Sequence, residues 1–241
     1  MSKANERAQR AAEERAAQAR RESRRRILTI GGVVLAMIVI VGGAVLVSVL
    51  NKKEVTVSDA GSSDFGVTIG KKDAPHTVVI YEDFICPFCG ELESRTRDDL
   101  TKLAEDGKVL VEYRPFDLLS GRVGDYPIRA ASAFSVVLEK SGPEVAKKFH
   151  DLLYENQPAE DSGDSVTNDD LVALAVEAGA TESDVADAIK NVSNKDWVTK
   201  ATQEATANNV QGTPTILLDG KVFDDGRTVD DLAKNLVDAL E

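Results

Sequence analysis

The pattern of apolar and polar positions predicts an α/β domain in the later two-thirds of the chain. Residues 77–81 and 109–114 are β-branched runs typical of buried strands, and a helical pattern from Pro87 to about Glu105 lies between them. A strand, a helix and a second strand in this order form a βαβ unit, whose strands we expect to be parallel. Ordered structure is expected to begin near Val67.

A run of helices should follow the second strand. Apolar residues recur at spacings of three and four over residues 128–140, 143–155, 168–178 and 182–191, and a further helix is predicted over 195–208. Thr167 with Asp170, and Thr181 with Asp184, resemble capping boxes at two of the helix starts. Trp197 is interpreted as a core residue. These elements predict an inserted helical subdomain over about 117–208.

The chain then returns to strands. Residues 215–218 and 221–223 flank Asp219-Gly220, a dipeptide typical of a tight hairpin, and residues 228–240 form an amphipathic helical pattern. Pro214 stands where the first of these strands opens, which a proline tolerates. A cis bond between Thr213 and Pro214 would turn the chain sharply and leave the Thr213 backbone groups free to pair with a substrate strand.

The N-terminal quarter has a different pattern. Residues 27–50 form an uncharged run of 24 residues, which as a helix is about 36 Å long and predicts one transmembrane span through the membrane lipid. A cleaved signal peptide is the alternative, but no small-x-small cleavage pattern follows Ala44. Residues 51–66 read as a linker to the domain over 67–241.

Charge sets the expected orientation of this span. Residues 1–26 form a basic segment with nine Lys/Arg against four Asp/Glu, and the positive-inside bias places the segment in the cytoplasm and the domain outside the cell membrane. Residues 1–26 carry a net charge of +5 and the whole chain carries −12, so residues 27–241 carry −17. An acidic domain argues against nucleic-acid binding, which requires a basic face.

Both cysteines of the chain lie in the stretch Cys86-Pro87-Phe88-Cys89, directly after the first strand. At a helix start, Pro87 suits the first helical position and the two thiols lie on one turn. Cys86 would face the positive end of the helix dipole, which stabilises a thiolate. Cys89 should be more buried than Cys86, so it is better suited to be the resolving thiol. This asymmetry predicts reversible oxidation of the pair.

Two other interpretations of the cysteine pair were considered. A structural disulfide is disfavoured because a four-residue loop constrains the unfolded chain little. A metal site needs further ligands, and the two histidines, His76 and His150, form no paired motif with the cysteines. Both histidines are interpreted as surface or structural residues, and no metal is expected.

The order of elements, with Cys-Pro-Phe-Cys after a strand and Gly212-Thr213-Pro214 after the helical insertion, resembles the thioredoxin fold of DsbA-like disulfide oxidoreductases. The resemblance covers residues 67–241. It implies that Cys86 is the nucleophile and Cys89 the resolving thiol. It also implies that Thr213 and Pro214 form the cis-proline element that packs against the disulfide and holds an incoming peptide.

The sequence departs from the family pattern at two places near the cysteines. Phe88 replaces the histidine of strong oxidases and offers no charge to a thiolate. Ile80 stands six residues before the nucleophile, where thioredoxins often bury an acid, so Glu82 or Asp83 is the candidate substitute proton acceptor, with solvated carboxylates as the alternative.

The resemblance implies a membrane-anchored enzyme that introduces disulfide bonds into unfolded exported proteins. Its redox group would be the Cys86–Cys89 disulfide, with no other cofactor. A DsbB-like or vitamin K epoxide reductase-like quinone enzyme in the membrane would reoxidise it. One alternative is a reductase or isomerase of the same fold, including a thiol donor for cytochrome c maturation. A second is a non-catalytic binding protein or copper carrier.

Overall fold

The computed structural model describes residue 55 and residues 60–241 of the 241-residue chain. The predicted basic segment, the predicted span over 27–50 and most of the predicted linker lie outside the described residues. Within the described part of the chain, no helix has both the length and the apolar character needed to cross a membrane.

The secondary structure follows the predicted order and adds a short strand at the start and a short helix, Ser120–Val123, after the second strand of the βαβ unit. The elements are β1 (Val67–Ile69), β2 (His76–Glu82), α1 (Pro87–Glu105), β3 (Val109–Pro115), α2 (Ser120–Val123), α3 (Tyr126–Ser141), α4 (Pro143–Glu155), α5 (Asn168–Glu177), α6 (Glu182–Lys190), α7 (Lys195–Ala207), β4 (Thr215–Leu218), β5 (Lys221–Val222) and α8 (Val229–Asp238). A single 3₁₀ turn, Gly163–Ser165, precedes α5.

The strands form one mixed sheet with the order β1-β3-β2-β4-β5. Strands β2 and β3 are parallel, which confirms the predicted βαβ unit, and β4 pairs antiparallel with β2. Strands β4 and β5 form the predicted hairpin, and Asp219 and Gly220 both adopt positive φ angles, as a tight turn between twisted strands requires.

Alternate residues of the central strand β2 enter two different cores. Val78 and Ile80 belong to the larger core, to which α1, α3 and α4 contribute many of the apolar side chains. Val79 and Tyr81 face the other side, where Ala201 of α7 packs on them. The sheet is therefore covered on both faces, and the buried segment Asp83–Cys86 leads from the end of β2 to the start of α1.

The helical insertion is present as predicted, between β3 and β4. The capping box of Thr167 and Asp170 is confirmed at the start of α5. The second predicted capping box is wrong. Thr181 is the N-cap of α6, but its side chain makes no capping bond, because the Asp184 amide donates to the Thr181 carbonyl instead.

The end of the predicted linker packs on the domain instead of extending away from it. The Gly61 amide donates to Glu112 Oε2 at 2.7 Å, and the Ser63 hydroxyl donates to Glu204 Oε1 at 2.9 Å. The Phe65 ring contacts Trp197 edge to face at 5.6 Å, and Trp197 is half-buried and packs against both cores. Apolar and buried polar groups therefore fix the chain before Val67.

Candidate active site

Cys86 and Cys89 lie at the beginning of α1, where the end of β2 delivers them. Cys86 is the N-cap with extended backbone angles, and Pro87 occupies the first helical turn. The Cys86 carbonyl accepts hydrogen bonds from the amides of Cys89 at 3.1 Å and Gly90 at 3.2 Å. Neither cysteine is in a disulfide, so this is the dithiol form of the pair.

Cys89 is the more buried of the two cysteines, as predicted, although both side chains lie below the surface. Cys86 is 4% exposed and Cys89 is 2% exposed. The side chains that do reach solvent are those between them: Pro87 is exposed, and Phe88 is 59% exposed. Pro87 and Phe88 therefore form the surface above the two sulfur atoms.

The acidity of the two thiols differs strongly. A hydrogen bond with the Cys89 side chain is the largest cause that lowers the pKa of Cys86, which falls to about 6 although burial opposes the change. The Thr213 side chain and the backbone amides of Cys89 and Phe88 lower the Cys86 pKa further. Burial raises the pKa of Cys89 well above its ordinary value, and the neighbouring Cys86 sulfur adds to this effect. At neutral pH, Cys86 is a thiolate and Cys89 a thiol.

Thr213 and Pro214 lie beside these cysteines. The Thr213–Pro214 peptide bond is cis, as predicted, and the Cys86 thiol donates to the Thr213 carbonyl oxygen at 3.4 Å. The sequence predicts unpaired Thr213 backbone groups, but this carbonyl accepts from Cys86 while Cys86 is protonated and is released when Cys86 ionises. The fold thus brings the Thr213–Pro214 element into contact with the cysteine pair.

Asp83 connects the approach to the cysteines with the loop after β3. Its carboxylate accepts hydrogen bonds from the backbone amides of Ile85, Leu118 and Leu119 at 2.9–3.1 Å. Burial raises the pKa of Asp83 to about 6, although these three hydrogen bonds lower it in part. Asp83 is buried and not a solvated carboxylate, so it fixes two loops against each other.

Glu82 is also buried, and its partner is a histidine from the helical insertion. Glu82 Oε1 lies 2.6 Å from His150 Nε2, and His150 Nδ1 lies 3.0 Å from Asp151 Oδ1. Burial by itself would lower the pKa of His150, but the charges of Glu82 and Glu93 raise the pKa to about 9. His150 is therefore a buried cation at neutral pH.

His150 was classified as a surface or structural residue from the sequence, and its position in a buried charged cluster was missed. It has no exposed surface and lies 5.8 Å from the Phe84 ring and 4.6 Å from the Tyr113 ring. The sequence shows only a histidine within the amphipathic pattern of α4. Nothing in this pattern indicates that His150 contacts Glu82, which is 68 residues away in sequence. His76, the other histidine, pairs with Asp219 at 2.9 Å on the surface.

The group Glu93, His150 and Asp151 has a spacing that could hold a metal ion. Cationic side chains already occupy this position. Lys147 Nζ contacts Asp151 and lies 3.5 Å from Glu93, and Arg97 Nε lies 3.2 Å from Glu93. The carboxylates are therefore neutralised by Lys147, Arg97 and His150, and the cluster stands as an ion-pair network.

Comparison with known proteins assigns this architecture to a family. The family model described as "Thioredoxin" matches residues 62–238. The chain belongs to the thioredoxin family. Among curated relatives, the chain is 29% identical to the probable disulfide bond formation protein D of Bacillus cereus over 210 residues. The aligned region covers 82% of this chain and 90% of the relative.

Solved structures agree with this assignment. The reduced form of the disulfide bond oxidoreductase DsbG from Mycobacterium tuberculosis is 28% identical with a TM-score of 0.62, over 75% of this chain and 88% of that chain. Oxidised BdbD from Bacillus subtilis is 26% identical with a TM-score of 0.63, over 77% and 97% of the two chains. The protein is a DsbA-like thiol-disulfide oxidoreductase.

Proposed function

We propose that the protein introduces disulfide bonds into exported proteins, with Cys86 as the nucleophilic sulfur and Cys89 as the resolving thiol. The observation that supports this direction is the acidity of Cys86, whose pKa is lowered to about 6 by hydrogen bonds at the start of α1. Stabilising the thiolate stabilises the dithiol form, and a stabilised dithiol makes the corresponding disulfide more oxidising.

The size of this effect can be estimated. Lowering the Cys86 pKa from 9.0 to about 6 stabilises the dithiol form at pH 7 by roughly 1.4 kcal/mol relative to an unperturbed thiol. For a two-electron couple this is about 30 mV toward a more oxidising potential. This contribution to the reduction potential is moderate because Phe88, unlike a histidine at this position, adds no positive charge next to the thiolate.

The proposed reaction begins with the oxidised pair. A substrate thiolate attacks Cys86 Sγ, the Cys86–Cys89 bond breaks, and Cys89 leaves as a thiolate that takes up a proton. A second substrate thiolate attacks the substrate sulfur of the mixed disulfide, and Cys86 leaves as a thiolate. The substrate loses two electrons and two protons, and the pair of cysteines receives the two electrons.

The low Cys86 pKa assists the second step, in which Cys86 is the leaving group and its thiolate is stabilised. The high Cys89 pKa makes Cys89 a poorer leaving group in the first step, so its departure depends on the uptake of a proton. We assign proton exchange with Cys89 to Glu82, whose charge acts on Cys89 and which is held by His150. The oxygens of Asp83 are committed to three backbone amides and serve this role less well.

Substrate binding is assigned to Thr213 and Pro214, with Pro87 and Phe88 as the surrounding surface. The Thr213 carbonyl contacts Cys86 Sγ, so an extended substrate segment that reaches the sulfur also passes this carbonyl. The exposed Phe88 ring supplies apolar contact area next to the reacting sulfur. We propose the Cys86–Cys89 disulfide as the redox group of the reaction, without a further cofactor.

Membrane attachment and export are part of this proposal. The uncharged run over 27–50 and the basic segment before it favour a single span with the domain outside the cell membrane. A quinone-linked membrane enzyme, DsbB-like or vitamin K epoxide reductase-like, would then return the pair to the disulfide form. Protease applied to intact spheroplasts should digest the domain, and full protection of it would contradict this placement.

A reductase or isomerase of the same fold is the second candidate, and Phe88 favours it, because an uncharged ring does not stabilise the thiolate as a histidine would. Oxidation of a reduced, unfolded protein by the full chain, compared with reduction of a disulfide-bonded protein, separates the two. Faster oxidation in a glutathione buffer supports the proposal. Exclusive reduction would overturn it.

A further inference from the structure

Gln157 holds the backbone on both sides of the nucleophilic cysteine from outside the thioredoxin core. It lies two residues after the end of α4, and its side chain is half-buried. Gln157 Nε2 donates to the Phe84 carbonyl at 3.0 Å and to the Cys86 carbonyl at 2.9 Å. Both hydrogens of one amide group are thereby used on the short segment that contains Cys86.

Gly90 provides the space that this side chain occupies. A Cβ atom at position 90 would lie 2.2 Å from Gln157 Oε1 and 3.0 Å from Gln157 Cδ. Glycine is a poor helix former, yet it stands in the second turn of α1. The two residues are therefore sterically matched, and any larger side chain at position 90 would displace Gln157.

Helix α4, which ends two residues before Gln157, is fixed against α1 by charged groups. Arg97 of α1 donates to the Asp151 carbonyl at 3.3 Å and also contacts the Glu155 carboxylate. Lys147 of α4 lies 3.5 Å from Glu93 of α1. The position of Gln157 relative to Cys86 is thus set by the packing of the helical insertion on the catalytic helix.

We propose that Gln157 is a positioning residue for thiol-disulfide exchange, which holds the Phe84–Cys86 segment so that the amides of Phe88 and Cys89 point at the Cys86 sulfur. This inference rests on the proposed role of Cys86 as the nucleophile. It assigns to the helical insertion a direct part in the reactivity of the cysteine pair.

The physical reason is the direction of the backbone amides at the start of α1. Those of Phe88 and Cys89 stabilise the Cys86 thiolate, and hydrogen bonds of this kind weaken steeply when their angle changes. Without the Gln157 donors, the Phe84 carbonyl would lose this partner and the Cys86 carbonyl would keep only its two backbone amide donors. The link between the two carbonyls would be lost, and the segment would shift. A purely structural role for Gln157 would instead lower stability and leave the thiolate unchanged.

The first test compares Gln157→Met, which keeps the side-chain length but removes both donors, with Asn156→Ala as the matched control in the full chain. Asn156 is exposed, and its amide donates to the Leu152 carbonyl of its own helix. In the Gln157 variant the pKa of Cys86, measured by thiolate absorbance, should rise by roughly half a unit, about a threefold loss in the ionisation constant. The control should keep the wild-type value.

The second test uses Gly90→Ala to displace Gln157 without deleting it. This change should raise the Cys86 pKa and slow exchange with a model disulfide to the same extent as Gln157→Met. In a Gln157→Ala background, where the space is open, the further change Gly90→Ala should have no effect on either quantity. Such non-additivity is expected only if the two residues act through the same contact.

Four results separate the inference about Gln157 from the proposed function. Wild-type pKa and exchange rate in Gln157→Met, or an equal effect of Gly90→Ala in both backgrounds, would overturn the inference. Loss of exchange in Cys86→Ala confirms that the assay reports on Cys86. A wild-type chain without Cys86-dependent exchange would instead overturn the proposed function itself.

Discussion

The sulfur atom of Cys86 lies 3.4 Å from the carbonyl oxygen of Thr213, although 127 residues separate the two positions. The contact joins the start of α1 with the loop before β4, and the whole helical insertion lies between them in sequence. Because Thr213 also lowers the pKa of Cys86, the loop affects the reactivity of the thiol as well as its surroundings.

Replacement of Thr213 by valine should raise the pKa of Cys86. The change keeps the shape of the side chain but removes its hydroxyl, which is one of the groups that lower this pKa. A rise of roughly half a unit is expected, with a potential about 15 mV less oxidising when the pH lies well above the pKa. Thr206→Val serves as the control, since the Thr206 hydroxyl only donates to the Thr202 carbonyl of its own helix. Equal Cys86 pKa values in both variants would mean that the Thr213 hydroxyl does not lower the pKa of Cys86.

The Cys89 side chain should control the acidity of Cys86 through its hydrogen bond. Cys89→Ser keeps a donor, so the pKa of Cys86 should stay near 6 in this variant. Cys89→Ala removes the donor, and the pKa should rise toward the ordinary value of about 8.5. Thiolate absorbance against pH measures both. Identical titrations in the two variants would mean that the helix start alone determines the acidity.

Phe88→His should make the pair more oxidising. A protonated imidazole between the cysteines attracts the Cys86 thiolate, so the pKa of Cys86 should fall by about one unit. The potential near pH 6–7 should then rise by on the order of 20–30 mV. Phe88→Tyr keeps an aromatic ring without this charge and should leave the potential near that of the wild type. If Phe88→His and Phe88→Tyr have the same reduction potential, the positive charge of the imidazole does not stabilise the Cys86 thiolate.

His150→Gln should destabilise the domain in a pH-dependent way. The pKa of His150 is raised to about 9, above its ordinary 6.5, so the stability that its positive charge contributes is fully present below about pH 6.5 and is lost as the pH rises through about 9. Linkage sets this contribution at on the order of 3 kcal/mol. Removing one partner of a buried ion pair costs a comparable roughly 3–5 kcal/mol.

Urea unfolding at several pH values checks this expectation. The difference in the free energy of unfolding between wild type and His150→Gln should shrink between pH 6.5 and 9.5. His76→Gln is the matched control, because His76 pairs with Asp219 on the surface and a surface pair contributes about 0–1 kcal/mol. A pH-independent difference for His150→Gln would show that the imidazole is not charged in the folded protein.

Much of the fold could be predicted because its signals are local. The helix start at Pro87 depends on the proline itself, and the β4–β5 hairpin depends on the Asp219-Gly220 turn. The strand β1 was not predicted, because three residues are too short to show a period. The extended conformation of β1 is stabilised by its antiparallel pairing with β3, a contact between distant segments.

The parts of the site that could not be predicted depend on contacts between distant segments. Glu82 and Asp83 were identified as candidates, but their burial follows from the helical insertion that covers them. The partner of Glu82 is His150, and Gln157 reaches Cys86 from the same helical insertion. No periodicity in the sequence indicates which polar residue of an amphipathic helix meets a buried acid or a catalytic loop.

The reduction potential of the Cys86–Cys89 pair tests the central proposal most directly, because it decides in which direction the enzyme exchanges disulfides. The full chain is equilibrated in glutathione buffers of graded composition, and the fraction of oxidised pair is measured at pH 7. A stabilised Cys86 thiolate, which contributes about 30 mV, predicts a potential above that of thioredoxin, at about −240 mV or higher. A potential at or below about −270 mV would make the protein a reductase and contradict the proposed oxidation of exported proteins.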